Sequence, residues 1–94
     1  MLKLKCNRTN VRPEIAAIVA AALNKSYYMN DVRCIVRHNS IEFSSCHSSL
    51  TVDIEFDRQT NKYELCRFEN NISNMTEIIE SPELAVLLVL DTFF

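Results

Sequence analysis

Apolar and polar residues alternate most cleanly between Leu50 and Leu65. In LTVDIEFDRQTNKYEL, Val52, Ile54 and Phe56 are interleaved with Asp53, Glu55 and Asp57. A period of two marks a strand with one buried and one wet face. With RQTN as a four-residue connection, Asp57 falls opposite Lys62, Phe56 opposite Tyr63, Glu55 opposite Glu64 and Ile54 opposite Leu65. That register gathers Val52, Ile54, Phe56, Tyr63 and Leu65 on one side of a hairpin and the charges on the other, with an Asp57–Lys62 pair among them.

The rest of the chain is read the same way. MLKLKC alternates Leu2, Leu4 and Cys6 with two lysines, a short first strand. Pro13 suits the first turn of a helix, where its missing N–H has no intrahelical partner. The segment after it repeats Ile15, Ile18, Val19, Ala22, Leu23 and Tyr27 at helical spacing, with alanines that allow close approach to a sheet. MND ends this helix, with Asn30 expected in the left-handed conformation that a glycine would otherwise take. VRCIVRH reads as a strand, and IEFSSCHSS as a second one that drifts into a serine-rich stretch. In NNISNMTEIIE, Asn74 followed by Glu77 fits a capping pattern and predicts a short helical turn. Ser81, Pro82 and Glu83 form a stronger start signal for a helix over PELAVLLVLDTFF. The order β-α-β-β-β-β-α predicts an α+β fold, a mainly antiparallel sheet of four or five strands with two helices on one face. The charged side of the hairpin is then the uncovered side.

Length and composition narrow the functions. Ninety-four residues support one domain, 1–94, with a stability of about 5–10 kcal/mol. The chain has no glycine where average usage gives roughly six or seven. Phosphate-cradling loops of the Walker and dinucleotide types are therefore absent, which excludes kinase, GTPase and Rossmann dehydrogenase chemistry. Residues 1–47 carry seven Lys/Arg against three acids, and residues 48–94 carry three against nine. The overall charge of −2 thus conceals a basic half and an acidic half. The N-terminus lacks the apolar run of a signal peptide, so a cytoplasmic chain with reduced thiols is expected. The N-x-S/T triplets at Asn7, Asn71 and Asn74 then have no glycan to carry. No apolar stretch reaches the ~18 residues of a membrane span.

Each candidate for chemistry meets an obstacle of spacing. Alternate acids on a strand lie roughly 7 Å apart, too far to share a metal without other converging ligands. Cys6, Cys34, His38, Cys46, His47 and Cys66 include no close cysteine pair of the kind that holds zinc. Cys46 and His47 are neighbours that would point to opposite faces of a strand. SSCHSS offers serines without the nucleophile elbow of a hydrolase. No catalytic residue, metal or cofactor is expected.

A protein surface is the better fit. Asp53, Glu55, Asp57 and Glu64 form a one-sign row suited to a basic or nucleic-acid-binding protein partner. The lack of a catalytic constellation beside this one-sign row predicts a non-enzymatic binding module, a small inhibitor of a larger complex. In composition alone, with no specific motif, glycine-poor chains rich in Asn and Ile resemble early proteins of phages and mobile elements. The alternative is a nucleic-acid binder that uses Lys3, Lys5, Arg8, Arg12, Arg33 and Arg37. Interleaved stacking aromatics are missing from that set, and the acidic half would repel phosphate. The near-continuous apolar run from Leu84 to Leu90 exceeds what one sheet contact needs, which predicts a homodimer through Leu84, Leu87, Leu88 and Phe94.

Overall fold

The computed structural model describes residues 3–6, 10–45 and 47–93, with side chains from residue 10 onward apart from 74 and 75. Its elements run β1 (Lys3–Cys6), α1 (Pro13–Asn24), a 3-10 turn (Ser26–Tyr28), β2 (Val32–Val36), β3 (Ser40–Ser45), β4 (Leu50–Asp57), β5 (Lys62–Glu69), β6 (Ile72–Ile79) and α2 (Pro82–Phe93). The six strands form one sheet in chain order. β1 pairs parallel with β2, across the connection that contains α1, and every later pair is antiparallel. Both helices lie on the same face, α1 over β3 and β4 and α2 over β4, β5 and β6, and they also pack on each other. The fold is α+β, as the pattern predicts.

The β4–β5 hairpin has the predicted register at all four pairs. Its connection is built on Asp57, whose carboxylate accepts the Gln59 N–H at 2.9 Å and whose carbonyl accepts the Asn61 N–H at 2.8 Å. Asn61 closes the turn at φ 56°, a left-handed position that asparagine tolerates better than most residues. The expected Asp57–Lys62 ion pair does not form. Lys62 reaches instead across to Glu80 at 3.4 Å, and Asp57 spends its acceptors on the turn.

Sheet size is the main departure from expectation. The predicted helical turn over NMTEII is instead β6, a sixth strand. Asn70 and Asn71 both take positive φ, 55° and 66°, and Glu69 pairs with Ile72 across them. Two consecutive left-handed residues make the tight hairpin turn whose twist matches the flanking strands. Asn-Asn does here what Asn-Gly usually does, in a chain that has no glycine. The ladder then slips by one residue at Arg67/Phe68, where Asn74 is left over on β6.

Helix boundaries follow local chemistry. The Arg12 carbonyl accepts from the Ile15 and Ala16 N–H groups as α1 begins, and the Arg12 side chain returns to Glu14 at 2.7 Å. α1 stops at Asn24, earlier than its apolar spacing suggests, and the 3-10 turn swings Tyr27 out to 82% exposure. Met29 is buried in its place, and Asp31 rather than Asn30 has the positive φ, 64°. α2 begins as expected, with the Ser81 hydroxyl accepting the Leu84 N–H at 3.1 Å.

Buried residues form a single cluster. Ile15, Ile18 and Ala22 of α1 and Ala85, Val86 and Val89 of α2 meet alternate residues of β2 to β6, with Phe43 the largest fully buried side chain. None of the buried side chains is polar or charged apart from the tyrosine hydroxyl of Tyr63, which donates to the Glu14 carbonyl at 3.0 Å. Among the described residues, no helix is long and apolar enough to cross a membrane.

Candidate functional site

The helices cover one side of the sheet, so the alternate side chains of β2 to β6 face away from them. Cross-strand pairing arranges these outward residues in rows. One row runs Ile35, Glu42, Asp53, Cys66 and Thr76 from β2 to β6, and the next runs Ser40, Glu55, Glu64 and Ile78 from β3 to β6. Directly opposed residues lie about 5 Å apart. Glu42 therefore faces Asp53, and Glu55 faces Glu64. Two like-charge pairs occupy adjacent rows near the centre of the open face, with Asp57 at the end of β4 beyond them. The spacing of β4 and β5 alone reveals four of these five acids. Glu42 was not legible as a member, because its place depends on the β3–β4 register.

Countercharge lies to one side, at β2, where Arg33 and Arg37 are exposed on the same face. Arg37 approaches Glu42 at 3.7 Å, and Lys62 is turned toward Glu80. Asp53 consequently holds its proton unusually well. Burial, then the neighbouring charges of Glu55 and Glu42, push its carboxyl from 3.8 up to about 6, against a smaller opposing effect from Arg37. One carboxylate oxygen of Asp53 is enclosed and accepts no hydrogen bond from the protein. Desolvation and the repulsion of two neighbouring carboxylates act in the same direction and outweigh the single cation, Arg37.

The neighbouring thiol is quiet. Cys66 donates toward the Glu64 carboxylate at 3.6 Å and accepts from the Thr76 hydroxyl at 3.9 Å. Burial raises its pKa, as do the nearby Glu64 and Asp53 charges, while the Thr76 hydrogen bond lowers it. A thiol held in this way is a poor nucleophile at neutral pH. Cys34 is buried in the core. His47 pairs with Asp31 at 3.1 Å at the other end of the sheet, while Cys46 lies outside the described residues. Among the described residues, no group of three or more His, Cys, Asp or Glu side chains converges to hold a metal ion.

Of the basic residues, Arg33 and Arg37 are exposed on the outward side at β2, toward the β1 end of the sheet, where Lys3 and Lys5 of β1 pair in register with Arg33 and Ile35. Arg12 is engaged by Glu14 and lies over the Phe56 ring at 5.8 Å, and Arg37 is drawn to Glu42. The side chains of Lys3, Lys5 and Arg8 lie outside those described. On the helical side, Leu84 and Leu87 are each about half exposed, while Leu88 is partly buried against the core. Phe94 lies outside the described residues. No protein-family model, curated protein or solved structure matches the chain.

Proposed function

We propose that this protein is a non-enzymatic binding module whose open sheet face docks a basic surface of another protein. The observation that carries this reading is the central placement of Glu42 against Asp53 and Glu55 against Glu64. Like charges directly opposed in a sheet cost stability, and an arginine or lysine from a partner would remove that cost. Both signs occur on this face, but they are segregated, with the acids on β3 to β5 and Arg33 and Arg37 at β2. Around the acids, Ile78 at 61% exposure supplies an apolar contact at the margin. Its mode of action is occupancy: a small acidic protein seated on a basic surface blocks whatever that surface would otherwise hold, which suits an inhibitor of a larger, nucleic-acid-handling complex. The engagement of Arg12 and Arg37 by acids weakens the alternative of nucleic-acid binding.

Charge-steered association falls as salt rises. Immobilised protein should capture a basic protein from extract of the native host at about 50 mM salt and lose most of it at about 500 mM. The triple variant Asp53/Glu55/Asp57→Ser should lose the same protein at low salt. Capture that ignores both salt and the triple substitution would sink this reading.

A further inference from the structure

We infer that the outer surface of the helical layer is where two copies of this chain meet, each seating its leucine ridge in a hollow of the other. Between Glu14 and Lys25, α1 carries no charged residue, and its exposed side consists of Ala16, Ala20, Leu23 and Asn24. Beside it, α2 exposes Leu84 and Leu87. Leu23, Leu84 and Leu87 are 49%, 47% and 50% exposed, so half of each side chain waits for a cover. Between the helices lies a hollow of about 270 Å³, lined by Ala21, Asn24, Lys25, Glu83, Val86 and Leu87. An apolar cavity of about 150 Å³ takes a benzene ring, so this one admits a leucine side chain.

Charge selects the occupant. Lys25 and Glu83 flank the hollow, one cation and one anion, and neither has a salt-bridge partner among the described residues. A twofold contact requires a surface that complements itself. Ridge with hollow and Lys25 with Glu83 meet that requirement on one patch: each copy's Lys25 faces the Glu83 of the other. On the open sheet face, a twofold contact centred on the rows of Glu42, Asp53, Glu55 and Glu64 would set acid on acid. A basic partner has no reason to prefer the helical side, where the charges are mixed. Three half-exposed leucines make a modest apolar patch, short of the ~800 Å² per partner of a standard interface. A contact this small makes a weak dimer, populated at high micromolar concentration.

Sedimentation of the full chain across roughly 1–200 µM tests this. The mass should rise from one chain to two over that range. Leu87→Asp should hold it at one chain, with circular dichroism confirming the fold. Lys25→Glu and Glu83→Lys should each weaken dimerisation about threefold to tenfold at low salt, and the doubly exchanged chain should recover to within about twofold of the original. A mass of one chain throughout overturns the proposal. So does a dimer indifferent to Leu87→Asp, or a double exchange that fails to recover.

Discussion

Asp53→Asn should make the protein more stable at neutral pH and leave it nearly unchanged in acid. The carboxyl lies at about 6 in the folded chain against 3.8 ordinarily, so between those values the folded state binds the proton that the unfolded state has released. Stability therefore falls as pH rises through that window, and the full penalty of the charge is present above about pH 7. A displacement of this size corresponds to about 3 kcal/mol at ~1.4 kcal/mol per pH unit. The face is open to water and ions, which screen part of the repulsion, so about 1–1.5 kcal/mol is the realistic gain. Asparagine keeps the shape and removes the charge from a carboxylate that has an enclosed oxygen and no donor. Urea unfolding of both proteins at pH 7.5 and pH 4 measures the difference directly, and subtraction cancels the titrating groups that do not interact with Asp53. A variant less stable than the parent at pH 7.5, or a gain that persists undiminished at pH 4, would refute the reasoning.

Three further outcomes check the architecture. Phe43→Ala empties the largest fully buried site and should cost about 3–5 kcal/mol in urea unfolding, much of the total stability of so small a domain. Ser81→Ala removes the acceptor for the Leu84 N–H and should cost about 1 kcal/mol, with faster amide exchange in the first turn of α2. Asn71 sits at φ 66° in the tight turn between β5 and β6. Asn71→Val should therefore cost about 1–2 kcal/mol by thermal unfolding, whereas Asn71→Gly should stay within about 0.5 kcal/mol of the parent.

What was legible in the sequence follows the strength of each local signal. Strict alternation from Val52 to Phe56 left one workable register, since a one-residue slip would bury Asp53 and Glu55. The Ser81–Pro82–Glu83 start was equally clear, because a hydroxyl cap and a proline each fit few other places. β6 was misread because Asn74 and Glu77 do lie at capping spacing. The deciding signal was Asn70–Asn71, which a chain without glycine uses as its tight-turn dipeptide. Tyr27 continued the helical spacing of α1, yet tertiary packing preferred Met29 as the buried residue. Periodicity cannot arbitrate between two apolar candidates after a helix end. Glu42 and Cys66 were invisible as parts of the acidic face for a different reason. Their neighbours are fixed by pairing between strands, and spacing along one strand carries no information about its partner.

The two surfaces also constrain each other. Helices cover one side of the sheet and the acids lie on the other, so a substitution on one face need not disturb the other. Copies joined through the helices would carry their acidic faces away from the shared contact, as far apart as the fold allows, so charge repulsion between them is small. The reverse arrangement would bring the two copies' Glu42, Asp53, Glu55 and Glu64 together and raise the pKa of Asp53 further. Outward faces make such a dimer bivalent toward a partner that presents two basic patches. The second contact then forms at an effective concentration set by geometry, and avidity can exceed single-site affinity about 100-fold or more without any new contact. That gain would matter if the acidic face docks a partner as proposed, because screening at physiological salt would leave each single electrostatic contact weak.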